Sequence, residues 1–251
     1  MPQPTEEQVH TAMTAAIRQF RAWADDPRVL VLDTETTGLQ GGVFELAAVR
    51  VGEVWPLLAF LCAPGTDWTP AAITMHGHRL EEIKGAPQAM LMRRALEATL
   101  QTVPLDSAVL TYNAEFDRTA LLRTWPGLRL PAFACIMTAY APLAGQWSET
   151  HGAWKYVGLT RALELEQVDT RGLPGEHTAY GDAVRAALLI QAVAQRLTPN
   201  EEEAREVAEQ EAQADALLDE DLDRMDAHNA GWDRALRGRE YDLLADDGEV
   251  D

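Results

Sequence analysis

The sequence is poor in cysteine, in basic residues and in long apolar runs, and each shortage narrows what the chain can be. Only Cys62 and Cys135 occur in 251 residues, which excludes a disulfide framework and a Cys-pair metal site. Both read as small buried hydrophobes. The longest apolar runs, such as Pro56 to Ala63 and Ala186 to Ile190, are far shorter than the roughly 20 residues a membrane helix needs, so no membrane partner is expected. The N-terminus carries Glu6 and Glu7 and no basic region followed by an apolar stretch. No secretory signal is read there, and the expected location is cytoplasmic. Lys and Arg number 21 against 40 Asp and Glu, for a net charge of −19. No broad basic surface for a polyanion is expected from that balance.

The acidity is unevenly spread. From Glu201 onward lie 19 of the 40 acidic residues but only 5 of the 21 basic ones, so the first 200 residues carry 21 acidic and 16 basic. The strong negative charge is mostly a property of the tail. Hydrophobic residues make up 47% of the chain, as in an ordinary globular protein, and the length suffices for one full domain with an appendage.

Along the chain, Thr5-Glu6-Glu7-Gln8 reads as a capping box, and Val9, Met13, Ile17, Phe20 and Trp23 follow at helical spacing. An amphipathic helix over 5–24 is expected, ended by Asp25-Asp26-Pro27. Arg28 to Asp33 reads as a buried strand leading into a Thr36-Thr37-Gly38 turn. Strands over Val43 to Val51 and Val54 to Cys62, joined at Gly52-Glu53, suggest an antiparallel hairpin. After a loop from Ala63 to Pro70 the pattern turns helical, with a segment near 87–102. A short strand at Ala108 to Tyr112 precedes a helix over 114–123. Further helices are expected near 137–143, 158–166 and 178–197, the last from the spacing of Ala183, Ala187, Ile190, Ala194 and Leu197. Strands first, then helices alternating with a strand, argue for a mixed α/β sandwich. Thr198-Pro199-Asn200-Glu201 opens a new helix, beyond which Glu, Asp and Ala dominate. The expected division is therefore an N-terminal helix over 1–27, a main domain over 28–197 and an acidic, partly helical C-terminal tail over 198–251.

Three segments carry chemistry. In Asp33-Thr34-Glu35, two carboxylates at i and i+2 on a strand face one side, because the side-chain period is two. Clustered oxygens of this kind suit Mg²⁺ or Mn²⁺. Taken singly, the pattern also describes a strand ending in solvated acids. Tyr112-Asn113-Ala114-Glu115-Phe116-Asp117 follows the 108–112 strand, and its simplest account is an Asn N-cap followed by first-turn acids that complement the helix dipole. In His177-Thr178-Ala179-Tyr180-Gly181-Asp182, Asp182 belongs to the last helix and points toward the sheet. Five helical residues turn about 140°, so His177 is not on the same helix face and sits in the turn before, free to lean over the same site. A lone His there is also compatible with an ordinary surface residue.

Taken together, an Asp-x-Glu after the first strand, an Asn-x-x-Phe-Asp after a central strand and a His-x4-Asp near the domain end resemble the DEDDh branch of the DnaQ-like exonucleases, which includes polymerase proofreading subunits. Phe44-Glu45-Leu46-Ala47 looks like the family's second-strand signature, and Ile73-Thr74-Met75-His76-Gly77 like its Ile/Val-His-Gly segment. The resemblance covers about residues 28–197. It implies an RNase H-like mixed β-sheet flanked by helices, and a metal-dependent 3′–5′ exonuclease that releases nucleoside 5′-monophosphates. It also implies that Asp33, Glu35, Asp117 and Asp182 hold two Mg²⁺ or Mn²⁺ ions and that His177 is the general base. Thr36, Thr37, Gly38, Leu39, His76 and Phe116 then match nucleotide-contacting positions. Ala71 departs from the family, where proofreading relatives often have Glu, and this leaves substrate preference open.

Two metals about 3.5–4 Å apart assist attack, transition state and leaving group in phosphodiester hydrolysis, and an imidazole exchanges its proton near neutral pH. The expected substrate is a nucleic-acid 3′ end, single-stranded or frayed DNA ahead of RNA, in proofreading or repair; an RNA-trimming exoribonuclease is the alternative. A binding or scaffold protein on an inherited exonuclease fold would need a broken site, and all five catalytic positions are present. The tail reads either as a solvated acidic segment that aids solubility or as a docking arm. In the second reading Trp232, Leu236, Tyr241, Leu243 and Leu244 would anchor on a polymerase or clamp.

Overall fold

A computed structural model describes residues 2–76, 80–104, 107–210 and 213. Gly77 and the tail residues Trp232, Leu236, Tyr241, Leu243 and Leu244 singled out above lie outside the described residues. The chain divides into two compact units, Met1–Thr198 and Pro199–Asp251. In the second, residues 199–210 are helical.

The first unit is built on a five-stranded sheet: β1 (Leu30–Thr36), β2 (Val43–Arg50), β3 (Pro56–Leu61), β4 (Ala108–Thr111) and β5 (Ala132–Cys135). Their spatial order is β3-β2-β1-β4-β5. β2 is antiparallel to both β1 and β3, while β4 and β5 run parallel to β1. The helices are α1 (Glu6–Asp25), α2 (Pro70–His76), α3 (Leu80–Ile83), α4 (Ala89–Leu100), α5 (Ala114–Thr124), α6 (Ile136–Ala144), α7 (Leu159–Leu165) and α8 (Ala179–Ala194). An antiparallel hairpin feeding a parallel half-sheet in this order, with helices on both faces, is the RNase H-like fold.

Sequence alternation assigns the two faces. On one, Val31, Val49 and Leu110 pack with Phe20 and Trp23 of α1, Ile136 and Tyr140 of α6, and Ala183, Ala187 and Ile190 of α8. On the other, Leu30, Leu32, Leu46, Ala48 and Val109 meet Leu96 and Leu100 of α4 and Ala120 and Leu121 of α5. β2 is buried from Val43 to Val49 because both faces are covered, whereas β3 alternates as an edge strand does. α1 forms as its capping box prescribes, with Thr5 and Gln8 bonded reciprocally. Each of its fully buried side chains, Ile17 and Phe20, contributes about 1.5–3 kcal/mol relative to exposure.

Several elements depart from the sequence expectation. β1 continues three residues past Asp33, because its pairing with β2 persists through Glu35 opposite Glu45; the two carboxylates therefore lie inside the strand and not beyond its end. β5 was not expected. Ala132–Cys135 lacks alternation and β-branched residues, and becomes a strand through its parallel pairing with β4. The same holds for the two-residue strands β6 (Trp147–Ser148) and β7 (Ala153–Trp154), whose Trp rings meet edge to face at 5.2 Å. α8 stops at Ala194, so Leu197 lies beyond it.

Candidate active site

Three acids meet on the α8 face of the sheet. Asp33 and Glu35 project from β1 toward α8, and Asp182 projects back from the first turn of α8. One oxygen of each lies within 4.8 Å of the others. Opposite Asp33 on β2 stands Ala47, a small residue that leaves room, and opposite Glu35 stands Glu45, itself buried. Burial pushes the Asp33 carboxyl well above the usual carboxylate range, and Asp117, Glu35, Asp182 and Glu45 push it further in the same direction. Burial also raises Asp182, opposed by the Arg185 guanidinium and by His177. Crowded acids that resist ionisation are poised to trade protons for a cation. An all-oxygen donor set of this density fits Mg²⁺ or Mn²⁺ and offers nothing to softer metals.

Asp117 reaches the site from the other side. It sits in the first turn of α5, buried, and is not part of the group of three. Thr34, whose side chain alternates to the α5 face, donates to Asp117 Oδ1 at 2.7 Å. Burial raises Asp117 to about 7, and the hydrogen bond from Thr34 opposes the rise. Thr34 is the neighbour of Asp33 in β1, so this bond holds Asp117 against the strand that carries Asp33 and Glu35. Asn113 occupies the N-cap of α5, yet its side chain makes no capping bond, so the simple N-cap account does not explain it.

His177 is exposed on the loop before α8, in the left-handed backbone region at φ 57. Few non-glycine residues adopt it, though His does so more readily than most. Its proximity opposes the rise of the Asp182 carboxyl, although the ring nitrogens lie outside the group of three.

The turn after β1 is held from several sides. Thr36 and Thr37 are buried; the Thr36 hydroxyl donates to the Gly38 carbonyl, and the Thr37 and Thr66 hydroxyls share a bond of 2.8 Å. Their side chains are committed to the turn, which leaves the backbone to face a ligand. Gly38 has φ 152, and a Cβ there would lie 2.4 Å from Thr69 Cγ2, so only glycine fits. Arg123 braces the turn through the Gly41 carbonyl and the Gln40 side chain. Leu39 is left 81% exposed at its tip, an apolar side chain that a stacked base would cover. Phe116 is half-buried beside Asp117. His76 does not stand open to a ligand: it is buried, with Nε2 3.4 Å from Glu35 Oε2 and its ring edge to face with Phe44 at 5.2 Å.

Sequence reasoning left Thr34, Glu45 and Arg185 without a role. The alternation that sends Asp33 and Glu35 one way sends Thr34 the other, and this was the available signal for its meeting α5. Glu45 was visible only as part of a motif. Nothing in the sequence marked Arg185.

The site carries an acidic cluster that could hold a divalent metal. No family model matches the chain. It is 26% identical over 166 residues to exodeoxyribonuclease 10 of Escherichia coli strain K12, spanning 59% of this chain and 72% of that protein. The protein of the same name from strain CFT073 matches to the same extent. Among solved structures, exonuclease X in complex with 5′-overhanging duplex DNA aligns with a TM-score of 0.49 at 24% identity, covering 69% of this chain and 96% of that one. The Mg²⁺- and Mn²⁺-bound Pop2p of S. pombe aligns with a TM-score of 0.48 at 14% identity, covering 74% and 90%. Together with the motif order, the relationship to the exodeoxyribonucleases supports an enzyme similar to the DnaQ-like 3′–5′ exonucleases that acts on nucleic acid.

Proposed function

We propose that this enzyme removes nucleoside 5′-monophosphates from the 3′ end of single-stranded or frayed DNA, using two divalent cations held by Asp33, Glu35, Asp117 and Asp182. The observation that carries the proposal is the convergence of Asp33, Glu35 and Asp182 oxygens within 4.8 Å, with Asp117 held by Thr34 against the same strand. Two such cations, when bound, supply Lewis acidity to the scissile phosphate and leaving oxygen. The remaining work falls to the protein. Asp33, with acids on both sides, would help to hold both cations. His177, exposed beside Asp182, accepts the proton of the attacking water. The turn from Thr36 to Gly38 offers backbone groups to the terminal nucleotide, and Leu39 and Phe116 offer apolar surface to its base. His76 acts from behind, fixing Glu35 and not touching the nucleotide itself. DNA is favoured over RNA by the activity in the name of the exodeoxyribonuclease relative. Proofreading or repair is the proposed setting, with the acidic tail as a docking arm for a polymerase or clamp.

A time course on 5′-labelled single-stranded DNA, duplex DNA and RNA with Mg²⁺ or Mn²⁺ tests the proposal. A ladder shortening from the 3′ end, fastest on single-stranded DNA and abolished by chelator, is expected. Faster shortening of RNA would transfer the proposal to RNA trimming, and chelator-resistant cleavage would overturn the metal assignment.

A further inference from the structure

Arg185 is buried in α8, 5% exposed, one turn beyond Asp182, and no step assigned above uses it. A buried guanidinium is costly unless its hydrogen bonds and charge are met. Here one nitrogen serves two groups. Nη1 donates to the Pro174 carbonyl at 2.7 Å and stands 3.8 Å from Asp182 Oδ1, while Nε is buried with no hydrogen-bond partner. The price of burial is therefore only partly offset by stability, which directs attention to what the contacts position.

Pro174 belongs to the loop that delivers His177. That loop is laid on the first turn of α8 by a short series of contacts. The Thr178 hydroxyl donates to the Gly175 carbonyl at 2.8 Å and accepts from the Gly181 backbone N–H at 3.0 Å. A Cβ on Gly181 would fall 2.0 Å from the Gly175 carbonyl oxygen and 2.8 Å from Arg185 Nη1. Glycine at 181 thus permits the loop and the guanidinium to close on one another. His177, two residues beyond Gly175, adopts its left-handed conformation on this loop, next to Thr178, the N-cap of α8.

We propose that Arg185 is a positioning residue for hydrolysis: it locks the 174–178 loop onto α8 and thereby sets His177 relative to Asp182. The inference rests on the assignment of His177 as general base. Loss of the guanidinium frees the loop at Pro174, and His177 with it. A displacement of about 1 Å at a reacting group can cost on the order of 100-fold in rate, and the loss belongs in kcat because neither group binds the nucleotide.

The test compares Arg185→Met, Arg185→Lys, Gly181→Ala and His177→Ala on 5′-labelled single-stranded DNA with Mn²⁺, at a temperature where circular dichroism shows each folded. Arg185→Met and Gly181→Ala are expected to lower kcat on the order of 100-fold with KM within about two-fold. Arg185→Lys, which keeps the charge and one donor, recovers part of the loss. Added to His177→Ala, Arg185→Met is expected to cost almost nothing more, because both act through one group. Should Arg185→Met fail to fold, Gly181→Ala and its combination with His177→Ala carry the same comparison. Full additivity of the two changes, or near-normal kcat in Arg185→Met and Gly181→Ala, overturns the inference while leaving the general base intact. Near-normal activity in His177→Ala instead overturns the base assignment and the inference with it.

Discussion

Asp33 and Glu35 sit within a sheet, and His177 sits on a loop; the two are held by different means. The strand carrying the acids is paired with β2 on one side and, at its start, with β4 on the other, and it packs helices on both faces. The loop carrying His177 depends on a few side-chain bonds from Thr178 and Arg185 and on the absence of a side chain at Gly181. Groups that must converge despite mutual repulsion need the stiffer mounting, since nothing but the fold keeps carboxylates together before a cation arrives. A group that must give and take protons is better placed in solvent, at the cost of a weaker support. The strand site should consequently fail completely when a ligand is removed, and the loop site by degrees.

The largest effect is expected on the strand side. Asp33→Ala or Asp182→Ala removes almost all nuclease activity, measured as mononucleotide release; retention of more than a few per cent would contradict the ligand assignment. His177→Ala comes next, with a loss of about 10²–10⁴-fold, the usual contribution of a general base. A loss as complete as that of Asp33→Ala would erase the distinction between the two mountings.

Cation binding and pH sharpen it further. Asp33, Asp117 and Asp182 have folded-state pKa values raised chiefly by burial, with Asp117 at about 7. Folded protein thus holds protons that unfolded chain has released. Their stabilising contribution is fully present below the unfolded pKa of about 4 and is lost as pH rises through the folded values. The metal-free enzyme should lose stability between about pH 4 and 7 from these groups. Saturating Mn²⁺ should therefore raise Tm more at pH 8 than at pH 5.5, the stabilisation reaching about 2.7 kcal/mol at a hundred times Kd. Equal shifts at both pH values would show that the cation binds elsewhere. The smallest effect is expected from truncation after Thr198: hydrolysis of short single-stranded DNA should change by less than about two-fold, because the acidic tail carries none of the proposed site residues. Loss of partner capture on truncation, with activity kept, would support the docking arm.

The parts of this arrangement that were legible in the sequence are those fixed by local periodicity. The two-residue alternation of Asp33 and Glu35 put them on one face, and the helical spacing of Ala183, Ala187 and Ile190 turned α8 toward the sheet. Motif order supplied what periodicity could not, namely that Asp182 and Asp33 meet. What escaped was tertiary. His76 was expected against the nucleotide and is instead buried behind Glu35, because packing of α2 on Phe44 decides its direction. β5 exists only through its partner strand, and the link between Thr34 and Asp117 spans 83 residues. Arg185 lay in a mostly apolar helical run, so its role depends on a loop brought back from 11 residues earlier.

The account stands most directly on calorimetric titration of the full chain with Mn²⁺ in the absence of nucleic acid, comparing wild type with Asp33→Asn. Two ions per chain are predicted for the wild type, with both strongly weakened by the substitution because Asp33 lies among all the other acids. Unchanged Mn²⁺ binding in Asp33→Asn would contradict the claim that this cluster holds the catalytic cations.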